Sequence, residues 1–322
     1  MNATLPTSRD VVSLIERAAL APSSHNTQPW RFRITGATVD LFADPTRALP
    51  VNDPDDRELT ISCGCALMNL RVAAAARGLD PEVTLLPRRE EPEWLAHVRL
   101  GPEGAAAGAE AVLSQQIERR HTYRKRFRPH PVSAATIERL VAAAATEGGW
   151  LHPVLAEPDR QWLAQLVAEG DAQRWANPSW RRELAAWMHP RRRGDGLTVS
   201  ALAAPIAHAV VRTFDMGRGI AAKDRELADA SPLLAILGTE RDEIRDWLLA
   251  GQSLERVLLT ACQAGLQASF LNQPVQVPAL RPKLRDVAGR SVHQVVLGLG
   301  EPVDEPVAAP RRAVADIVEA PQ

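Results

Sequence analysis

The run Ala21-Pro22-Ser23-Ser24-His25-Asn26-Thr27-Gln28-Pro29-Trp30 concentrates hydrogen-bonding side chains that no hydrophobic core requires. Hydroxyls and carboxamides both donate and accept, so Ser23, Ser24, Asn26 and Gln28 suit a ligand with a polyol, a phosphate or a heteroaromatic edge. A second group, Arg120-His121-Thr122-Tyr123-Arg124-Lys125-Arg126-Phe127, carries the cations that a phosphomonoester would need. Arginine offers such a group a rigid bidentate fork.

These residues need elements to hold them. Val11, Val12, Leu14, Ile15, Ala18 and Ala19 recur at helical spacing from Ser8 to Ala21, and Pro22 ends the pattern, so a helix delivers the polar loop. From Arg31 to Ala43 apolar and polar residues alternate around Gly36, as in a hairpin. A long helix is expected over Pro54 to Gly78, then strands at Glu82 to Leu86 and His97 to Leu100, and a helix from Gly104 to Glu118. The plan then begins again. A helix at Ser133 to Thr146 leads to a strand at Trp150 to Leu155 and further helices through Ala228. Next come a buried-type strand at Leu233 to Gly238, a helix at Arg241 to Gly265, a strand at Ala268 to Leu271, a helix near Pro278 to Val287, and a strand at Val292 to Leu299. The long helices end alike, Ala74 to Leu79 and Ala261 to Leu266 both reading Ala-x-x-x-Gly-Leu, which points to an internal duplication. The fold class is α+β. The halves are taken as residues 1–113 and 114–322.

Composition narrows the function. Apolar content of 45% with 38 basic against 39 acidic residues describes an ordinary globular chain and gives no electrostatic case for nucleic acid. Only Lys125, Lys223 and Lys283 are lysines, so positive charge is almost all guanidinium. Three cysteines make no paired framework, Cys63-Gly64-Cys65 with a remote Cys262 lacks zinc spacing, and no metal is expected. No uninterrupted apolar run approaches the roughly 20 residues of a membrane span, and no export signal leads the chain, so a cytoplasmic location is the expectation. His-Glu-x-x-His, Gly-x-Ser-x-Gly and a Walker loop are absent, and Gly298-x-Gly300 runs into Glu301-Pro302 rather than a helix.

Ala-Pro-Ser-Ser-x-Asn-x-Gln-Pro-Trp resembles the flavin-contacting loop of the nitroreductase family, FMN-dependent enzymes that work as homodimers. Arg120 to Phe127 is similar to that family's Arg-x-Ser/Thr-x-Arg/Lys-x-Phe pattern, with one extra residue before Phe127. The loop lies in the first half and the basic pattern opens the second. The first half's loop has a counterpart, Thr146-Glu147-Gly148-Gly149-Trp150, that has lost its serines and amides. In the family each FMN is held between the basic pattern of one subunit and the polar loop of the other. The resemblance therefore implies an intrachain pseudo-dimer with one complete site, one FMN per chain and one dead site, as in the fused, Acg-like branch.

By motif position Arg120 binds phosphate with Arg311 or Arg312, and Thr122 bonds the ribityl or phosphate. Arg124 supplies a fixed cation that favours the reduced, more negative cofactor, while Ser23, Ser24 and Asn26 contribute from the opposite half. Gln28 binds or braces the loop. The stretch Phe270-Leu271-Asn272-Gln273-Pro274 matches the loop that faces the reactive edge, so Leu271 and Asn272 join the set. His25 is either a flavin contact or a structural histidine. The resemblance implies an oxidoreductase passing hydride from NAD(P)H to a nitroaromatic, a quinone or a similar small acceptor, in a monomer or a homodimer.

Two departures bear on turnover. Lys223 and Glu226 stand where the family usually places Asn and Lys toward the pyrimidine edge. Trp175, Trp180 and Trp187 fall within a segment, Arg174 to Leu197, positioned where family members carry an insertion that shapes access. Those tryptophans either pack on the core or form a lid. A closed lid would make the chain an FMN-sequestering protein with little turnover.

Overall fold

The computed structural model describes residues 5–102, 104, 108–188, 194–197, 211 and 217–319. Thr7 opens helix α1 (Ser8–Ala18), where its hydroxyl and the Asp10 carboxylate cap each other's backbone. A polar loop leads to strands β1 (Trp30–Thr35) and β2 (Thr38–Ala43), joined through Gly36 at φ +58°. Helix α2 (Arg57–Ala76), strands β3 (Pro81–Leu85) and β4 (Trp94–Leu100), and the short helix α3 (Gly108–Ser114) complete the first half. The second half runs α4 (Ala134–Thr146), β5 (Trp150–Val154), α5 (Glu157–Ala176), α6 (Pro178–Trp187), α7 (Gly217–Asp229), β6 (Leu233–Gly238), α8 (Ile244–Gln263), β7 (Gln267–Phe270), α9 (Gln273–Gln276), α10 (Arg285–Ala288) and β8 (His293–Gly300).

Both halves build the same sheet. The first has strand order β1-β2-β4-β3 and the second β5-β6-β8-β7, with every neighbouring pair antiparallel. Each places a 20-residue helix between its second and third strands. These two helices, α2 and α8, pack on one another where Gly64 meets Gly251. A Cβ on Gly64 would lie 2.9 Å from the Gly251 Cα, and one on Gly251 would lie 2.7 Å from the Gly64 Cα. Both are the eighth residue of their helix, so the crossing lies on the axis relating the copies. Offset by 187 positions, Arg57 becomes Ile244 and Gly64 becomes Gly251. The chain is a tandem pseudo-dimer.

One apolar core runs through the seam, joining Trp30, Phe32, Leu67 and Leu70 to Leu254, Leu258 and Leu297. The second sheet is buried on its other face too, by Leu163, Val167 and Leu284 against Leu234, Ile236 and Val296, which is why β6 reads as an unbroken apolar run. Helix α2 is long and apolar enough to cross a membrane by composition, with mean hydropathy 1.5, yet 83% of that window is buried inside the fold. It is the central helix of the core.

The halves differ where function is expected. Residues 19–29 separate α1 from β1, whereas only 147–149 separate α4 from β5. The chain beyond β8 crosses back to the first sheet, where Phe32 N donates to Ile317 O (2.7 Å) and Glu319 N to Phe32 O (2.8 Å), covering the edge strand β1.

Several expected elements differ in extent. The helix expected over Gly104 to Glu118 spans only Gly108–Ser114 among the described residues. Near Pro278 to Val287 the chain makes a 3₁₀ turn at Arg281–Leu284 and then α10, because Pro282 lacks the N–H an α-helix needs. The Trp-rich segment breaks at Asn177-Pro178, and Asn177 Oδ1 caps α6 by accepting from Ser179 N (2.9 Å). Residues 189–193 of that segment lie outside the described residues.

Candidate functional site at the seam between the two copies

The polar loop is held in a conformation that its own residues disfavour. His25 (φ +49°), Asn26 (φ +54°) and Gln28 (φ +51°) all occupy the left-handed region without being glycine. Each such residue costs on the order of 1 kcal/mol, so the surroundings must impose the shape. They do so from the second half. Gln28 Nε2 donates to Gly194 O (2.6 Å) and Gln28 Oε1 accepts from Arg312 N (2.9 Å). Asn26 Nδ2 donates to Pro310 O (3.0 Å) and Gly196 O (3.3 Å), and Asn26 Oδ1 accepts from Arg311 Nη1 (3.3 Å). Arg311 also satisfies the Ala19, Leu20 and Ala21 carbonyls beyond α1, and Arg312 Nη1 donates to Gln28 O (3.1 Å). Asn26, Gln28, Arg311 and Arg312 therefore brace the loop, and their side chains do not line the cavity beside it.

That cavity, of about 180 Å³, takes its walls from both copies. The first half gives Ser23, Ser24 and His25 from the loop, and Glu58, Ser62 and Cys65 from one face of α2. The second half gives Thr122 and Arg124, Leu254 of α8, and Phe270, Asn272, Gln273 and Gln276 around α9. Thr122 reaches its place because the basic segment lies along edge strand β7, with Tyr123 N donating to Ala268 O (2.8 Å). Asn272 is fixed by accepting from Val296 N at Oδ1 (3.0 Å). Leu271 is buried, and its backbone N–H is taken by Val296 O (2.9 Å).

Arg120 lies deeper. It pairs with Glu255 at 3.3 Å, and its Nη2 donates to Leu20 O (3.0 Å), the carbonyl that Arg311 also binds. Burial pushes the Glu255 carboxyl up to about 7 against the opposing effect of Arg120. Two guanidiniums thus meet one weakly ionising carboxyl beside Ala19 to Ala21. Burial also holds His25 down, to about 3, with Arg174 and Arg124 adding to the effect, so its imidazole is neutral at physiological pH.

Glu58 is the cavity residue that sequence reasoning missed. Its carboxylate accepts from Ser24 Oγ (2.6 Å) and from Gln276 Nε2 (2.7 and 2.9 Å), tying the loop to α9 across the seam. Glu58, Ser62 and Cys65 share one helix face at i, i+4 and i+7, which was the available clue.

The Trp-rich segment reaches the same cavity through Arg174. Its guanidinium donates to Asn52 Oδ1 and Gln276 Oε1 and stacks over Trp180, 4.5 Å from the ring centroid. Trp175 and Trp180 pack edge to face at 5.4 Å in a small apolar cluster with Leu184 and Ala185, separate from the main core. Trp187 is buried as well, under the Arg47 guanidinium. The segment is clamped to the first half, for Glu183 accepts from Val51 N and Asn52 N (both 2.9 Å) and Asp195 pairs with Arg47. The side chain of Lys223 lies outside the described residues, and Glu226 pairs with Arg126.

The pseudo-twofold counterpart of the cavity is a shallow cleft lined by Arg245, Leu249 and Gln252, each 187 positions after Glu58, Ser62 and Cys65. There Glu147 replaces the polar loop and is bound by Arg71 and Arg256. The copies retain different functional groups.

No protein-family model matches the chain. A Mycobacterium tuberculosis (strain H37Rv) protein provisionally named NAD(P)H nitroreductase Rv3131 is 32% identical over 332 aligned positions, spanning 100% of this chain and 94% of that relative. The chain belongs to the nitroreductase-like family. Its relatives there include a second protein of that organism, provisionally named NAD(P)H nitroreductase acg, 28% identical across 98% of this chain and 96% of the relative. Solved structures it resembles include the FMN-dependent nitroreductase NfnB from Mycobacterium smegmatis in complex with NADPH (17% identity, TM-score 0.43, 66% of this chain and 99% of that one). A BluB-like flavoprotein from Clostridium difficile 630 gives 16% identity and a TM-score of 0.43, over 65% and 99% of the two chains.

Proposed function

We propose that this chain, with copies at residues 1–113 and 114–322, is an FMN-binding oxidoreductase that uses NAD(P)H to reduce a nitroaromatic, a quinone or a similar small acceptor. The observation that carries this reading is the composite cavity, in which Ser23 and Ser24 of one copy face Thr122 and Arg124 of the other. The donor set fits the cofactor. Hydroxyls of Ser23, Ser24, Ser62 and Thr122 suit a polyol, carboxamides of Asn272 and Gln273 suit a heteroaromatic edge, and Gln273 Oε1 and His25 Nδ1 are buried with no hydrogen-bond partner among the described residues. When bound, FMN supplies the chemistry, taking hydride from the reductant and giving it to the acceptor.

The residues provide placement and charge. Arg124, whose guanidinium burial disfavours and Asp224 supports, puts a fixed positive charge into the cavity and favours bound negative charge there. Arg120 and Arg311, which lie outside the cavity lining and converge on Leu20 O with Glu255 opposed to them, are candidates for the phosphate by motif position alone. Asn26, Gln28 and Arg312 serve the site by holding Ser23 to His25 in their strained shape. Neutral His25 adds no charge.

A second reading, a flavin-holding protein with slow turnover, is favoured by Arg174. Its side chain lies in the cavity, and the volume left is below the ~300 Å³ at which typical ligand pockets begin. The absorption spectrum of purified protein before and after anaerobic NADPH or NADH, with released flavin counted per chain, separates the readings. One FMN per chain that bleaches supports the oxidoreductase. A yellow protein that resists NAD(P)H, but bleaches once Arg174→Ala is made, supports the covered site. A colourless protein that cannot be loaded overturns both.

A further inference from the structure

Gln273, the first residue of α9, is 8% exposed and lines the cavity. Its Nε2 donates to Asp224 Oδ2 of α7 (2.7 Å) and Asp171 Oδ2 of α5 (3.3 Å). Both amide hydrogens are thereby used. Its Oε1 is buried and accepts from no group among the described residues.

The orientation is imposed by the two carboxyls. Asp171 and Asp224 meet at the same amide nitrogen, and burial together with the neighbouring Asp224 pushes Asp171 up to about 8, so the pair carries one proton near neutral pH. Arg174 on α5 faces Asp171, and Arg124 faces Asp224. A flipped amide would set its carbonyl oxygen against carboxyl oxygens whose one proton is already committed. Helix α5 comes this close because of Gly170, where a Cβ would meet the Gln273 Cβ at 2.7 Å and its carbonyl carbon at 2.9 Å. The amide is therefore a built, acceptor-only group.

We propose that Gln273 Oε1 recognises a ring N–H of the molecule held in the cavity, with the Asp171–Asp224 pair acting as the positioning element that locks the amide. This rests on the FMN reading. The oxidised isoalloxazine ring carries a single N–H, that of its imide, so the acceptor selects for an unsubstituted imide nitrogen. An amide turned the other way would reject it.

The test compares FMN with 3-methyl-FMN, whose imide nitrogen carries a methyl group, by quenching of flavin fluorescence on the full chain. Wild type should bind FMN about 10-fold or more tighter, since methylation leaves a buried acceptor unpaired. Gln273→Met keeps the volume and removes the acceptor, and should shrink the ratio to about 3-fold or less. Asp171→Asn, which frees the amide to turn, should also lower the ratio although Asp171 does not line the cavity. That is a readout a merely structural role would not move. Equal affinities in wild type, or an unchanged ratio in Gln273→Met, overturn the inference while leaving the FMN reading intact. Failure of wild type to bind either flavin overturns both.

Discussion

The Gly64–Gly251 crossing is where the two copies meet, and it can be tested by adding single methyl groups. A Cβ at Gly64 would sit 2.9 Å from the Gly251 Cα, and the obstructing atoms belong to backbone, which cannot rotate away. The helices must separate by roughly half an ångström or more, and overpacking of this kind costs ~1–3 kcal/mol. The Leu248 carbonyl oxygen would be closer still than the Gly251 Cα, which puts the cost in the upper half of that range, and since replacing glycine in a helix interior returns ~1 kcal/mol of propensity, the net destabilisation of Gly64→Ala should be ~1–2 kcal/mol. The paired Gly64→Ala/Gly251→Ala variant should fall well short of twice that, because the second methyl enters a seam already opened. Urea denaturation followed by far-UV circular dichroism measures both. Ser62 and Cys65 flank Gly64 and line the cavity, so the same separation should weaken FMN retention roughly in step with stability. A midpoint equal to or above wild type would show that propensity outweighs contact, and would refute the account of the seam.

Three further outcomes follow from the site. Arg124→Ala should weaken FMN binding about 10- to 100-fold, as loss of a charge-assisted contact does, read by equilibrium dialysis; an unchanged affinity would remove Arg124 from the site. Arg174→Ala should speed anaerobic bleaching by NADPH at least about 10-fold if a contact worth ~1.4 kcal/mol holds the cover down, measured by stopped flow, and an equal rate would show that Arg174 does not gate it. Stability should fall as pH rises from 6.5 to 8. Burial lifts the carboxyls of Asp171 (about 8), Asp53 and Glu255 (each about 7) above their unfolded values, so the folded chain keeps protons that the unfolded chain has lost, while His25 and His293, lowered to about 3 and about 4, are neutral when folded and oppose this trend only until their unfolded imidazoles lose their protons above about 6.5. Each such proton contributes ~1.4 kcal/mol per pH unit, and a urea midpoint that rises over the interval would contradict the sign.

The sequence was legible where polar residues broke a periodic pattern. Ser23 and Ser24 stood out for that reason, Thr122, Arg124 and Asn272 by resemblance to the family's motifs, and all five lie at one cavity. The repeat was visible too, since the Ala-x-x-x-Gly-Leu ends of the long helices share the 187-position offset that relates Gly64 to Gly251. What sequence hid was long-range. Glu58 sits in the first turn of a helix, where an acid also has a purely local reason to be, and its place in the site comes from Ser24 and Gln276, which approach it from outside that helix. Asn26 and Gln28 carry side chains suited equally to a ligand or to a neighbouring carbonyl, and the Gly194 and Pro310 carbonyls that engage them lie more than 160 residues away in the chain. In the sequence Arg174 only begins the Trp-rich segment, and its place in the cavity comes from Asn52 and Gln276, which close around it.

The crossing of residues 310–319 onto the first half bears on how the chain is made. Strand β1 and the strained loop before it leave the ribosome well before Arg311, Arg312 and Glu319, which brace them and follow β8. Throughout synthesis, then, the edge of β1 is open and the loop has no reason to hold three left-handed residues in place. The first copy is finished only when the segment after β8 arrives, so assembly of the site waits for both halves rather than following from either alone.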